Sequence, residues 1–280
     1  MTSVDVQQFG PWAVVTGASA GIGREFARQL AASGFHLVLV ARRPAVLEAL
    51  GTDLTARYGV ACRTVALDLA EPASVEALRA ATEDLEVGLL VSNAGAGAPG
   101  RFLDVPESVH LDLLQLNAAT YLRLAHHYGR AMAARGRGGI VLVGAMGARD
   151  GIPYMAGPGA TKAFVQSLGA ALHHELAPSG VRTTVVVPGP TDTRVIDHFG
   201  LDRSGLPMQP MPVEQCVDEG LRALQAGRAV HLTGRINRVL LGLLPAALVR
   251  RANAHLLSSG LADGRPRLDH LASAEAAAAA

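Results

Sequence analysis

Short runs of mainly apolar residues alternate along this chain with longer stretches in which apolar residues recur every three or four positions. The short runs predict strands that are buried on both faces, and the periodic stretches predict amphipathic helices. The predicted strands are residues 12–16, 37–41, 62–67, 88–92, 140–144 and 183–187. The predicted helices are residues 23–32, 45–58, 73–83, 107–134 and 161–176. This order predicts an α/β fold with one doubly wound parallel sheet in a single domain.

The alternation ends after Pro188. Residues 194–212 contain several Pro, Gly and Met residues, and their length is typical of a lid or substrate loop. A helix at residues 213–226 and a last strand at residues 229–233 are predicted to follow.

Residues 237–257 are apolar, with arginines near both ends and Pro245 inside. This pattern favours a pair of helices that pack on the core or on another subunit, with a membrane-surface helix as the alternative. We therefore divide the chain into a main domain (1–235), a C-terminal helical extension (236–258) and a tail (259–280) that we expect to be flexible.

The composition limits the classes of protein to which the chain can belong. Hydrophobic residues make up 49% of its 280 residues and the net charge is +1, which argues against disorder and against a nucleic-acid-binding surface. Cys62 and Cys216 lie far apart, and no histidine pair has a third ligand at suitable spacing, so we expect reduced thiols and no metal site. The first ten residues lack the pattern of a secretion signal, and no run reaches the roughly 18–20 apolar residues of a membrane span. We therefore expect a soluble, cytoplasmic protein.

The stretch at residues 16–23 reads Thr-Gly-Ala-Ser-Ala-Gly-Ile-Gly and lies between the first predicted strand and the first predicted helix. Gly17 allows a tight turn, and we expect Gly21 and Gly23 to let a pyrophosphate approach the backbone because they lack a Cβ. The start of the helix offers unpaired N–H groups and a positive dipole end to the same anion. The stretch therefore predicts a dinucleotide-binding turn.

Arg42 and Arg43 directly follow the second predicted strand. In a dinucleotide fold an acidic residue near this point binds the ribose 2′-hydroxyl of NAD, whereas an arginine accommodates the 2′-phosphate of NADP. A guanidinium can also pair with phosphate through two hydrogen bonds. The alternative is a solvated arginine pair, but with the glycine turn in place we expect NADP rather than NAD.

Further short motifs, taken with the glycine turn, resemble those of the short-chain dehydrogenase/reductase family. They are Asp68-Leu69, Asn93-Ala94-Gly95, Asn117, Thr161-Lys162 and Pro188-Gly189 followed by Thr193. The resemblance covers about the first 235 residues. It implies a Rossmann-like sheet of about seven strands in an NADP-binding domain at residues 1–235. It also implies a homo-oligomer, a dimer or tetramer, formed through the helices at residues 107–134 and 161–176.

The resemblance also implies a role for each matched position. The pyrophosphate and adenosine side of the cofactor would be held by Gly17, Ser19, Gly21, Ile22 and Gly23. Asp68 and Leu69 would contact the adenine, and the floor beneath its ribose would be formed by Asn93, Ala94 and Gly95. The carboxamide would be held by Pro188, Gly189, Thr191 and Thr193. Lys162, the only lysine in the chain, would hydrogen-bond the nicotinamide ribose, and Asn117 would anchor a water chain behind it.

Two catalytic positions depart from the family's pattern. Family members carry a tyrosine four residues before the lysine, and a serine about a dozen residues before that tyrosine. This chain has Pro158 and Ala145 there, and neither side chain can donate a proton or a hydrogen bond. Tyr154 is the candidate replacement acid, with a pocket-wall aromatic as the alternative. We expect Tyr121, one helical turn beyond Asn117, to pack between helices or subunits.

Three functional hypotheses follow. We favour an NADP(H)-dependent oxidoreductase that reduces an activated C=C, C=N or C=O bond of a small molecule. The alternatives are a catalytically silent NADP(H)-binding protein and a non-redox cyclase, isomerase or dehydratase on the same scaffold. The apolar residues Met146, Tyr154 and Met155 predict a hydrophobic substrate.

Overall fold

The computed structural model describes residues 4–199, 209–261, 266 and 268. Its sheet has seven parallel strands in the order β3-β2-β1-β4-β5-β6-β7. The strands are β1 (Trp12–Thr16), β2 (His36–Ala41), β3 (Cys62–Ala66), β4 (Val87–Ser92), β5 (Gly138–Val143), β6 (Val181–Val187) and β7 (Val230–Leu232). The prediction of a doubly wound, Rossmann-like sheet in one domain is confirmed.

Helices cover both faces of this sheet. They are α1 (Val6–Phe9), α2 (Gly21–Ala32), α3 (Pro44–Tyr58), α4 (Ser74–Ala80), α5 (Glu107–Leu114), α6 (Thr120–Arg135), α7 (Ala156–Leu176), α8 (Val195–His198), α9 (Val213–Gln225), α10 (Arg235–Leu243) and α11 (Ala246–Ser259). The central strands β4 and β5 are buried along their whole length, as uninterrupted apolar runs predict.

The core consists of two apolar layers, one on each face. Leu89 and Val91 of β4 pack in the layer beneath α2, α3 and α9, whereas Leu90 between them packs in the layer beneath α4, α6 and α7. Side chains of a strand alternate between its faces, so a run of apolar residues supplies both layers.

The predicted helix at residues 107–134 is interrupted in the structure. A π-helical turn, Gln115–Ala119, separates α5 from α6. Such turns are rare and are frequently found at functional sites. Hydrophobic periodicity did not reveal it, because one widened turn hardly changes the spacing of the apolar residues.

The predicted loop at residues 194–212 contains the short helix α8, and residues 200–208 lie outside the described part of the chain. In the predicted tail, Leu261 is buried, Leu268 packs against Ala98, Val105 and Leu113, and Pro266 lies beside Gly100. Among the described residues, none of the helices is both long and apolar enough to cross a membrane.

Candidate functional site

The glycine turn joins β1 to α2 at the carboxyl end of the sheet. Gly17 and Gly21 have φ angles of +68° and +52°, a left-handed conformation that costs little without a Cβ. A Cβ at Gly21 would contact only the side chain of Thr193, at 3.4 Å. A Cβ at Gly23 would lie 2.3 Å from the Gly17 carbonyl oxygen and 2.5 Å from Asn93 Nδ2. Gly21 therefore leaves the backbone accessible, as we expected. Gly23, in contrast, is required for packing within the turn and not for the approach of a pyrophosphate.

Thr16 links this turn to the segment that follows β4. Its hydroxyl accepts hydrogen bonds from the backbone N–H groups of Asn93 and Ala94, at 2.9 Å and 3.0 Å. The Asn93 side-chain amide donates to the Thr16 carbonyl at 3.0 Å. Two motifs that are separate in sequence thus share one hydrogen-bond network, because β1 and β4 are neighbours in the sheet.

The arginines after β2 lie beside residues predicted for the adenosine side of the cofactor. Arg43 donates to the Ser19 hydroxyl at 3.5 Å, and Arg42 Nη1 lies 3.9 Å from a carboxylate oxygen of Asp68. Arg42 is exposed and Arg43 is half-buried. Both guanidinium groups therefore stay accessible to an anionic group.

Ile22 and Leu69, the two remaining residues predicted for the adenosine side of the cofactor, are held in position by apolar contacts with the core. Ile22 packs against the apolar layer beneath α2. Leu69 is buried, and its carbonyl accepts a hydrogen bond from the Thr120 hydroxyl at 2.9 Å. Their side chains hold the loops in position rather than presenting polar groups.

The segment after β6 faces the glycine turn. Gly189 donates its N–H to the Thr233 hydroxyl at 3.2 Å, and the Thr191 hydroxyl donates to the Gly189 carbonyl at 2.9 Å. Thr193 lies against Gly21, as described above. The Pro188 carbonyl accepts from the backbone of Met146 at 3.3 Å. Thr193 therefore brings the segment after β6 against the glycine turn. We call the region between the glycine turn and the segments after β4 and β6 the candidate cleft.

Lys162 lies in α7 with its side chain half-buried. Its Nζ donates to the phenol oxygen of Tyr121 and to the carbonyl of Val143, each at 2.9 Å. No carboxylate pairs with it among the described residues, so burial is the main influence and lowers the pKa of Lys162 from 10.5 to about 7. An amine in this state exchanges its proton readily at neutral pH.

Tyr121 is the site residue whose position the sequence did not reveal. It is fully buried, as expected for packing between helices, but its hydroxyl contacts Lys162 and its ring centre lies 4.6 Å from Nζ. Burial raises its pKa, so the phenol stays neutral. The available signal was its spacing of four residues from Asn117, which places both side chains on one helix face.

Asn117, in the π-helical turn, holds the segment after β4. Its side chain accepts from the Ala96 N–H at 3.1 Å and donates to the Ala96 carbonyl at 2.9 Å. A Cβ at Gly95 would lie 2.9 Å from Asn117 Oδ1 and 3.2 Å from Lys162 Nζ. Asn117, Gly95 and Lys162 therefore lie together, as the family resemblance implies.

Pro158 and Ala145 provide no side-chain hydrogen-bond donor beside Lys162. The Pro158 carbonyl accepts from the Thr161 hydroxyl at 2.7 Å, and the Ala145 carbonyl accepts from Gln166 at 2.7 Å. Tyr154 has an unusual positive φ of 62°. Its hydroxyl makes no hydrogen bond to the described residues, and its role as the replacement acid stays a prediction.

The residues around the candidate cleft have the chemistry that a dinucleotide requires. The backbone at Gly21 is open, the arginines after β2 are accessible, and polar groups from the segments after β4 and β6 converge at the carboxyl ends of the strands, where such folds bind ligands. Within the described ranges, no three His, Cys, Asp or Glu side chains cluster as metal ligands would.

This fold and this arrangement of motifs are shared with short-chain dehydrogenases of known structure. The sequence profile of short chain dehydrogenases matches residues 11–203, and the chain belongs to this family. It is 31% identical over 227 residues to a 7beta-hydroxysteroid dehydrogenase of Collinsella aerofaciens, covering 78% of this chain and 84% of that one. The prediction of an oxidoreductase is thereby confirmed at the level of the family.

Two further similarities involve a lipid-related reductase and a cofactor complex. A very-long-chain 3-oxoacyl-CoA reductase of Pyrenophora tritici-repentis is 36% identical over 182 residues, which cover 62% of this chain but only 53% of that protein. The chain thus spans about half the length of that relative. The structure of a short-chain dehydrogenase from Sphingobium yanoikuyae in complex with NADPH is 32% identical, with a TM-score of 0.76 over 84% of this chain and 96% of that one.

Proposed function

We propose that this protein is an NADP(H)-dependent reductase in which the Lys162 ammonium supplies the proton that family members take from tyrosine. The observation that carries the proposal is the environment of Lys162 Nζ. It is held by one phenol oxygen and one backbone carbonyl, in a site where positions 158 and 145 provide no acid.

The residues proposed to hold the cofactor are those of the glycine turn, the arginines after β2 and the segments after β4 and β6. Arg42 and Arg43 favour a 2′-phosphate, and hence NADP(H) over NAD(H). Bound NADPH would supply a hydride to the substrate. The NADPH complex of the similar Sphingobium protein supports this choice.

The reduction also needs a proton, and Lys162 is suited to give it. A general acid works best when its pKa lies near the working pH, and burial lowers the pKa of Lys162 to about 7. Nζ would donate its proton to the atom of the double bond that does not receive the hydride, which is the oxygen, the nitrogen or the second carbon, and would regain a proton from solvent. Tyr121 stays a neutral hydroxyl and acts as a positioning residue, because it fixes the direction of Nζ.

The substrate that we propose is a hydrophobic molecule with an activated C=C, C=N or C=O bond. Such a bond needs less help from a strong oxygen-polarising pair than a plain ketone does. Methyl and ring carbons of Met155 and Phe199 would lie within 3.0 Å of a Cβ at Gly97, so this wall of the cleft is apolar. The steroid and long-chain acyl names of the relatives are consistent with it.

A catalytically silent NADP(H)-binding protein is the second candidate. It is favoured by the same substitutions, because a cofactor cleft can persist for its contribution to stability after the acid has been lost. The two candidates differ in one measurable quantity, the consumption of NADPH.

The test follows the loss of NADPH absorbance with an enone, a cyclic imine, a steroid ketone and a long-chain 3-oxoacyl thioester. We expect turnover with at least one of them. Lys162→Arg retains the cation but cannot release a proton near neutral pH, so we expect its rate to fall about 10²- to 10⁴-fold. Binding of NADPH without consumption of any substrate would rule out the reductase and leave the silent protein.

Because Lys162 is the only lysine, an isotope label on lysine gives a single side-chain NMR signal. We expect that signal to titrate with a midpoint near pH 7, in line with the lowered pKa. Tyr121→Phe removes an acceptor that stabilises the ammonium, so we expect a lower midpoint. A midpoint near the ordinary lysine value in the wild-type protein would remove Lys162 as the acid.

A further inference from the structure

The C-terminal segment at residues 235–261 has an unusual charge balance. It contains four of the 25 basic residues of the chain, Arg235, Arg238, Arg250 and Arg251, and none of the 24 acidic residues. The whole chain has a net charge of only +1. Positive charge is therefore concentrated in this segment, while the rest of the molecule is slightly acidic.

At the start of α10, over residues 235–239, apolar side chains are exposed while a polar side chain is buried. Its buried Asn237 donates to the Thr233 carbonyl at 2.8 Å, and Arg238 donates to Glu219 at 2.8 Å. Its exposed side chains include Ile236 and Val239, which are 70% and 61% accessible and lie three residues apart on one face. A surface helix in water normally buries its apolar side and exposes its polar side. The exposed surface formed by Ile236 and Val239 is therefore suited to an apolar surrounding.

The apolar surface continues into the start of α11. Leu244 and Leu248 are 44% and 50% accessible. Arg250 and Arg251, in the next turn, are exposed and pair with no carboxylate among the described residues. Arg250 contributes one weak hydrogen bond, 3.5 Å to the backbone carbonyl of Asp150. Exposed apolar side chains thus occur on neighbouring turns with arginines that have no carboxylate partner in the described part of the chain.

We propose that α10 and α11 lie on the surface of an anionic lipid membrane. Ile236, Val239, Leu244 and Leu248 would enter the boundary between headgroups and acyl chains, and Arg235, Arg250 and Arg251 would pair with lipid phosphates. A helix pair of this kind binds in the plane of the interface, through apolar burial together with attraction to anionic lipid.

Charge complementarity favours a membrane over a second copy of the chain. A two-fold contact brings the same surface of both subunits together. Here that would oppose two arginine-rich segments that contain no acidic side chain. An anionic lipid surface can bury the exposed apolar side chains and also pair with the arginines.

The proposed surface lies next to the substrate cleft. A Cβ at Gly147, in the loop after β5, would lie 3.1 Å from the side-chain amide of Asn253 in α11. Beyond α11, Pro266 and Leu268 pack against the segment after β4. Membrane binding would therefore hold the walls of the cleft near lipid, where hydrophobic molecules concentrate. The supply of a hydrophobic substrate from lipid rests on the proposed function, whereas membrane binding does not.

The test is flotation of the full-length protein with vesicles of phosphatidylcholine alone, or of phosphatidylcholine mixed with phosphatidylglycerol. We expect binding to the anionic vesicles, at least tenfold weaker binding to the neutral ones, and loss of binding at high salt. Ile236→Ser with Val239→Ser, and separately Arg250→Gln with Arg251→Gln, should each weaken binding, the arginine pair by about 30-fold. No activity is measured, so failure here leaves the proposed reductase unaffected.

Matched variants elsewhere serve as controls. Leu103→Ser changes the most exposed large apolar residue, at 90% accessibility, and Arg24→Gln with Arg57→Gln removes two exposed charges. Both should bind anionic vesicles as the wild type does. Equal binding to neutral and anionic vesicles, or loss of binding in the controls, would overturn the proposal. The proposal would also be overturned if the protein did not bind vesicles and if Ile236→Ser with Val239→Ser dissociated an oligomer in sedimentation, since this face would then be a subunit contact.

Discussion

At position 158 a proline occupies the first turn of α7, four residues before Lys162. The first turn of a helix tolerates proline because its backbone N–H groups have no partner within the helix. Residues four apart share a helix face, so a tyrosine at this position would direct its phenol along the same face as Lys162. Pro158 is therefore compatible with the helix, although its side chain cannot supply a proton.

Restoring the family's side chains should therefore restore ordinary ketone chemistry. For Pro158→Tyr combined with Ala145→Ser, we expect kcat/KM toward a hydrophobic ketone to rise about 10²- to 10⁴-fold, the usual contribution of a positioned acid. Steady-state kinetics at saturating NADPH measure it, with Ala145→Ser alone as the control. A folded, NADPH-binding double variant without any gain would show that the cleft differs from the family's in more than these two positions.

The lowered pKa of Lys162 also makes stability depend on pH. Between pH about 7, its folded pKa, and 10.5, its ordinary pKa, the unfolded chain binds more protons, so the free energy of unfolding rises with pH. The slope from this group is at most about 1.4 kcal/mol per pH unit. From pH 7 to pH 9 we expect the free energy of unfolding of the wild type to increase relative to that of Lys162→Met. Below pH 6 we expect the difference between the two proteins to stay constant. Denaturant titrations of both proteins measure the difference, and parallel curves throughout would contradict a lowered pKa.

Arg42 and Arg43 give a prediction on cofactor choice. Charge-assisted hydrogen bonds are worth about 1.5–3 kcal/mol, so loss of the pair should raise the Kd for NADPH about 10- to 100-fold. The Kd for NADH, which lacks the 2′-phosphate, should change much less. Fluorescence titration of Arg42→Ala with Arg43→Ala against both cofactors checks this. An equal loss for both would assign the arginines to the fold rather than to the phosphate.

At the scale of elements, the two glycines that begin α2 serve different purposes. Gly21 has a positive φ but open space around it, whereas a Cβ at Gly23 would overlap backbone at 2.3 Å. We expect Gly21→Ala to lower the Tm by about 3 °C and to weaken NADPH binding at least tenfold. Gly23→Ala should lower the Tm by about 10 °C, because backbone cannot move aside as a flexible side chain can. Calorimetry and NADPH titration distinguish them, and similar melting temperatures would contradict the assignment.

The elements themselves were largely predictable, and the site only in part. Apolar runs predicted six of the strands, and five of these are buried over nearly their whole length. The edge strand β3 is half-exposed, which differs from the expectation of burial on both faces. The contact between Tyr121 and Lys162 was not predictable. It depends on the π-helical turn at Gln115–Ala119 and on the rotation of α6 against α7, and neither changes the periodicity of the sequence.

At the scale of the whole molecule, the parallel sheet explains why separate motifs form one cleft. The glycine turn follows β1, and the matched segments after β4 and β6 lie at the same edge, because all the strands run in one direction. That convergence follows from strand–helix alternation. The packing of residues 235–261 beside the cleft does not follow from the alternation, because hydrophobic periodicity does not indicate where a terminal segment packs.

Self-association is the remaining prediction at this scale. Leu111 and Leu114 of α5, Leu122 of α6 and Phe164 of α7 are 41–57% accessible, on the helices that the family resemblance assigns to subunit contacts. We expect the protein to sediment as a dimer or tetramer at micromolar concentration. Leu122→Glu with Phe164→Glu should give a monomer, because burying two unpaired carboxylates against apolar surface is unfavourable. Ile236→Glu with Val239→Glu is the matched control and should leave the oligomer intact, since we assign that face to lipid. A wild-type monomer would refute the assignment of α5–α7, whereas dissociation by the control alone would move the subunit contact to α10.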